Sequence, residues 1–136
     1  MPFKICLFLF LFVVTSLAQA FEREQVMIVV PNPEQTTIFT FINLNGDFIG
    51  MHQIMDERGS RRNHNVSESE FRELWSAVNS EPLTDFEYEP DSDENMVHPN
   101  FYTLVVFEGQ YQRFMRVPFD TKVEILKRLT ENNNDS

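Results

Sequence analysis

The sequence predicts an α+β domain in which two helices pack on an antiparallel sheet. Three observations carry this. Two pairs of β-prone runs are each joined by a short glycine-containing turn, at Asn45-Gly46 and at Glu108-Gly109. Each pair is followed by an amphipathic segment of helical period, the first opening on Ser67-Glu68-Ser69-Glu70. The order β-β-β-α-β-β-α has no strand–helix–strand alternation of the kind that demands a parallel sheet.

The chain opens with Lys4, an apolar run over residues 5–14 and the small-residue pair Ala18-Gln19-Ala20. That order is the mark of a cleavable secretory leader, with cleavage after Ala20 and Phe21 as the new N-terminus. The run is about half of the roughly 20 residues that span a bilayer, so no membrane anchor is expected after cleavage. Export to the periplasm or the medium follows as the expected localisation. Cys6, the only cysteine, lies in the leader, so the mature chain has no thiol for catalysis, metal ligation or a disulfide. Small secreted domains of animals commonly lean on disulfides, and their absence here favours a bacterial source.

Subtracting twenty leader residues from 136 leaves 116, the size of one domain. The expected division is a leader over 1–20, a single domain over 21–131 and a disordered tail over 132–136. Losing Lys4 takes the formal charge from −10 to −11. Nucleic acid is excluded as a partner on that ground, since phosphate binding needs clustered cations.

Residues 25–30 are rich in β-branched side chains and stop at Pro31-Asn32-Pro33, which reads as a first strand. Residues 37–44 and 47–55 form the first hairpin. A two-residue Asn45-Gly46 turn places Leu44 opposite Asp47 and thereby sets the register. One face then carries Ile38, Ile42, Leu44, Ile49 and Met51, and the other Phe39, Phe41 and Phe48. Both faces are apolar, so both are expected to be covered.

Residues 56–65 are polar. Ser67 and Glu70 then form a capping box, each side chain serving the other's backbone N–H, with Val66 stapled on Phe71. Phe71, Leu74, Trp75 and Val78 make the buried stripe, and Pro82 closes the element. Residues 81–100 are a long connection in which Phe86 and Tyr88 suggest a short edge strand. Residues 101–107 and 110–117 form the second hairpin, whose register the sequence leaves open. Pro118 with Asp120 or Thr121 starts the second helix, with Ile125, Leu126 and Leu129 buried and Lys127 and Arg128 suited to its C-terminal dipole.

This arrangement, with Tyr102-Thr103-Leu104-Val105-Val106, the turn at Gly109, Arg116-Val117-Pro118 and a Leu-rich terminal helix, resembles the small emfourin-type protease-inhibitor domains. The likeness covers residues 37–129 as a pattern of elements. It implies a secreted inhibitor, and no inhibitory residue is transferred to this chain.

The chemistry-bearing residues point away from catalysis. There is no Gly-x-Ser-x-Gly and no glycine-rich phosphate cradle, and Ser67 and Ser92 are accounted for as a cap and a loop residue. The histidines His52, His64 and His98 form no helical ligand pair. Convergence of His52, His98 and a carboxylate on a metal is the alternative to ordinary hydrogen-bonded histidines, which are expected. Asp91-Ser92-Asp93-Glu94-Asn95 begins like a calcium loop but has Met96 at its sixth position and Tyr102 at its twelfth, so no EF-hand is expected. No cofactor, no metal and no enzymatic activity are expected.

The leading expectation is an exported, non-enzymatic domain that binds a protein or peptide. The alternatives are a protease inhibitor and a small hydrolase using a carboxylate pair. The candidate surface is the connection 81–94, with seven carboxylates, Glu81, Asp85, Glu87, Glu89, Asp91, Asp93 and Glu94, and no Lys or Arg. Phe86 and Tyr88 are its candidate anchors, and Asp91, Asp93 and Glu94 its candidate charges for a cationic partner. The basic loop 58–64 is the next candidate. Nothing in the sequence sets an oligomeric state.

Overall fold

A computed structural model describes residues 23–57, 59–91 and 97–131. An antiparallel sheet of seven strands carries two helices, the α+β class expected. In chain order the elements are β1 (Arg23–Val30), β2 (Thr37–Leu44), β3 (Asp47–Ile54), β4 (Arg62–Asn63), α1 (Glu68–Val78), a 3-10 turn (Leu83–Phe86), β5 (Glu87–Tyr88), β6 (Phe101–Glu108), β7 (Tyr111–Pro118) and α2 (Glu124–Glu131). Across the sheet the strands run β4-β3-β2-β1-β6-β7-β5. The first strand is therefore central, joining the two hairpins through Val26↔Phe41 on one side and Val26↔Val106 on the other.

The first hairpin has the expected register, Leu44 opposite Asp47. Asn45 and Gly46 supply the positive φ angles of 55° and 94° that a tight hairpin turn of the sheet's own twist requires. The second hairpin is in the register Glu108↔Tyr111, so Gly109 and Gln110 are its turn residues, one position on from the Glu108-Gly109 pair read in the sequence.

The capping box at α1 forms as expected. Ser67 Oγ accepts from Glu70 N–H at 3.1 Å and Glu70 Oε1 accepts from Ser67 N–H at 3.0 Å. Phe71, Leu74 and Val78 are buried, while Trp75 is half-buried and stacks on Phe71 at 6.0 Å instead of lying wholly in the core. The second helix begins at Glu124, later than Pro118 to Thr121 would place it, because Thr121 Oγ1 first takes the Val123 N–H in a turn. Its stripe is the expected one, with Ile125, Leu126 and Leu129 buried. Arg128 pairs with Glu73 and so ties the two helices together.

Both helices cover the same face. Val26, Ile28, Phe39, Phe41, Leu104, Val106, Met115 and Val117 meet the stripes of α1 and α2 in one core. Full burial of each such side chain contributes roughly 1.5–3 kcal/mol. On the opposite side the expected cover is partial: Val29, Thr103 and Val105 are buried there. Leu44 is 38% and Ile49 39% exposed there, and neither helix reaches them. Strands that are apolar on both sides do not require two layers of helix, and both helices of the described residues lie on one face. Among the described residues no helix is long and apolar enough to cross a membrane.

Candidate functional site

The connection after α1 is anchored at its start and opens out at its end. Leu83 is buried, and Phe86, at the end of the 3-10 turn, packs against the core. Glu87 and Tyr88 then pair with Met115 and Phe114 as the edge strand anticipated for that stretch. Strand alternation sends their side chains to opposite faces. Glu87 joins Met115 on the helix-covered side, where Arg113 bonds it at 2.8 Å. Arg113 also reaches the Val78 carbonyl at 3.2 Å and Asn79 Oδ1 at 2.7 Å, tying the end of α1 to this edge.

Tyr88 joins Phe114 on the other side, with ring centroids 6.3 Å apart and the Arg116 guanidinium 4.6 Å from the Tyr88 ring centroid. Its hydroxyl is buried without a hydrogen bond. Pairing ends after Tyr88 because Pro90 has no N–H to give to the ladder. The chain parts from β7, and a cleft of about 710 Å³ opens between Tyr88, Glu89 and Pro90 on one wall and Gln112, Arg113 and Phe114 on the other.

The candidate residues are thus divided. Tyr88 lines the cleft. Phe86 does not, since the 3-10 turn breaks the strand alternation that would have set it beside Tyr88. Glu81, Asp85, Glu87, Glu89 and Asp91 are all exposed. Asp93 and Glu94 lie outside the described residues, as do Ala18, Ala20 and Phe21 of the expected cleavage site. Sequence reasoning missed Phe114 and Gln112, whose only signal was the register of the second hairpin.

The histidines group differently from the combination weighed in the sequence. His52 meets His64 instead of His98, with ring centroids 5.5 Å apart and planes at 86°. Each of the two is only 8% exposed. Burial, then the His64 and Arg62 charges, hold His52 below the usual imidazole value of 6.5. Burial also lowers His64, against the opposing pull of a hydrogen bond to the Leu129 carbonyl and of Glu70. His98 packs on Phe101 at 4.6 Å, and its Nδ1 accepts from Asn100 N–H at 3.2 Å. Among the described residues no three His, Cys, Asp or Glu side chains gather as a metal would need.

No protein-family model, curated protein or solved structure matches this chain. The emfourin-like pattern therefore rests on the sequence alone, and the geometry of the chain's own residues has to carry the functional reading. The basic loop is a built turn: Ser60 Oγ accepts from Ile54 N–H at 2.9 Å and donates to Glu57 O at 2.8 Å, and its last residue is the buried His64. Arg61 and Arg62 are exposed, and Arg58 lies outside the described residues.

Proposed function

We propose that this chain is an exported, non-enzymatic domain that binds a protein or peptide of cationic character at the β5–β7 edge. The observation that carries the reading is the joining of charge and apolar surface at one place. Of the seven carboxylates of the connection, Glu87 and Glu89 line the cleft walled by Tyr88 and Phe114. Rim carboxylates speed encounter with a cationic partner, while a partly buried aromatic pair resists its departure. Arg113 is held by Glu87, Val78 and Asn79, so it rigidifies the wall. Glu89 lines the cleft and is exposed, and Asp91, two residues further on, is exposed as well.

The test uses peptide pools matched in length and opposite in net charge, with association and dissociation followed separately. The cationic pool binds, its association slows with added salt, Glu89→Gln and Asp91→Asn lower the on-rate, and Tyr88→Ala raises the off-rate. Equal binding of the two pools, or unchanged kinetics in a folded Tyr88→Ala variant, sinks the reading. Export is read from the intact mass of the secreted product. A mass beginning at Phe21 supports it, and a product that retains Met1 refutes it.

A further inference from the structure

At the edge remote from the cleft, β3 and the chain leaving β4 approach unusually closely over Gly50. A Cβ at Gly50 would lie 1.9 Å from the His64 carbonyl oxygen, and the His64 N–H donates to the Gly50 carbonyl at 2.9 Å. That approach sets the His64 ring among Phe39 at 5.4 Å, Phe41 at 5.6 Å and His52 at 5.5 Å. His52, from β3, lies 5.9 Å from the same Phe39 ring. The backbone of Leu129, in the last turn of α2, lies close enough to the His64 ring to favour its protonated form. One small polar cluster therefore joins three parts of the fold: the β3 strand, the β4 edge and the end of the second helix.

The charges that face the cluster are few. Arg62 of β4 acts on His52, and Glu70 of α1 acts on His64. The end of α2 offers the Leu129 carbonyl, and β2 offers only the Phe39 and Phe41 rings. Nδ1 of His52 is buried with no hydrogen bond. A first proton is best placed on His64, beside Leu129 O and Glu70. A second, on His52, meets the first cation and Arg62 in a cage of aromatic carbon.

We infer that His52 and His64 form an acid-sensitive latch, which holds β4 and the last turn of α2 on the sheet while both rings are neutral and releases that corner when they are protonated. The latch is separate from the β5–β7 cleft and does not depend on the proposed binding function.

The direction follows from linkage. Above about 6.5 the rings are neutral whether the corner is closed or open, so pH has no effect through them. Below that value the open corner takes up protons that the closed one refuses, and closure weakens as pH falls toward the lowered values of the two rings. Beneath those values both forms are protonated and the loss stops growing. The effect grows with the extent to which each ring is lowered, and the two titrations are coupled.

Amide hydrogen exchange of the secreted product at about pH 7.5 and about pH 5.5, corrected for intrinsic rates, tests this directly. Protection of residues 62–64 and 126–131 should fall by about tenfold or more, while residues 26–29 of β1 and 103–106 of β6 keep theirs. Unchanged protection at the corner overturns the latch, and so does an equal loss in β1 and β6, which would be general unfolding. His52→Phe, which keeps an aromatic ring without a titrating group, should reduce the acid effect at the corner. Ring-proton NMR of the unaltered protein gives the answer even if that variant does not fold. The His52 and His64 resonances must titrate below 6.5, and titration of both at or above it overturns the proposal.

Discussion

The two edges of the sheet are built alike and present opposite chemistry. Each ends in a two-residue strand, β4 on β3 and β5 on β7. At the β4 edge the chain closes over Gly50 and buries its polar groups, the imidazoles of His52 and His64, under the end of α2. At the β5 edge the chain diverges at Pro90 and keeps the carboxylates of Glu87, Glu89 and Asp91 solvent-exposed, Glu87 while bonded to Arg113. Burial governs what each set can do. Buried titrating groups couple proton uptake to folding, whereas exposed charges are screened and act mainly on the approach of a partner. The two proposals, acid sensing at one edge and binding at the other, rest on that difference.

Truncation beneath the histidines is the most severe way to break this contrast. Phe39→Ala removes a ring that is 2% exposed and touches both imidazoles, and should cost about 3–5 kcal/mol in urea unfolding. An unfolding midpoint near that of the parent chain would mean that the cluster is not part of the core.

Gly50→Ala comes next. The new methyl group meets backbone, which cannot rotate away, so a loss of about 1–3 kcal/mol is expected. The same substitution should push β4 off the sheet and flatten the pH response of the corner, a result visible in stability curves taken from neutral to mildly acidic pH.

Ser67→Ala should cost about 1 kcal/mol by opening the capping box. The backbone N–H of residue 67, which holds the Glu70 carboxylate, is kept by alanine, so the His64 titration should stay as it is. A His64 curve that moved with the loss of stability would mean that the Ser67 hydroxyl also sets the position of Glu70.

The smallest effect belongs to the other edge. Arg113→Gln breaks a partly exposed ion pair and should alter stability by no more than about 1 kcal/mol. Its consequence should appear in binding, because the wall of the cleft loses its tie to Val78 and Asn79. A large loss of stability without any change in binding would reverse the roles assigned to the two edges.

Much of the framework was legible because it is local. Asn45-Gly46 specifies its turn through positive φ, Ser67 and Glu70 bond within one helical turn, and the stripes of α1 and α2 follow from their period. The acidic character of the connection is likewise a property of composition. The partnership of His52 with His64 was not legible, because β4 is two polar residues with no apolar alternation, and what holds it is the gap left by a glycine on β3.

The same division explains the cleft. The hairpins, the two amphipathic helices, the run of carboxylates and the aromatic residues within it can be read from interactions and composition spanning a few residues. Long-range packing is what puts β1 at the centre, sets both helices on one sheet face, brings Tyr88 rather than Phe86 to Phe114, and gathers two histidines twelve positions apart in one cage. Those outcomes depend on which strands pair and where pairing stops, and such choices are settled by contacts between distant segments whose local patterns are compatible with more than one arrangement.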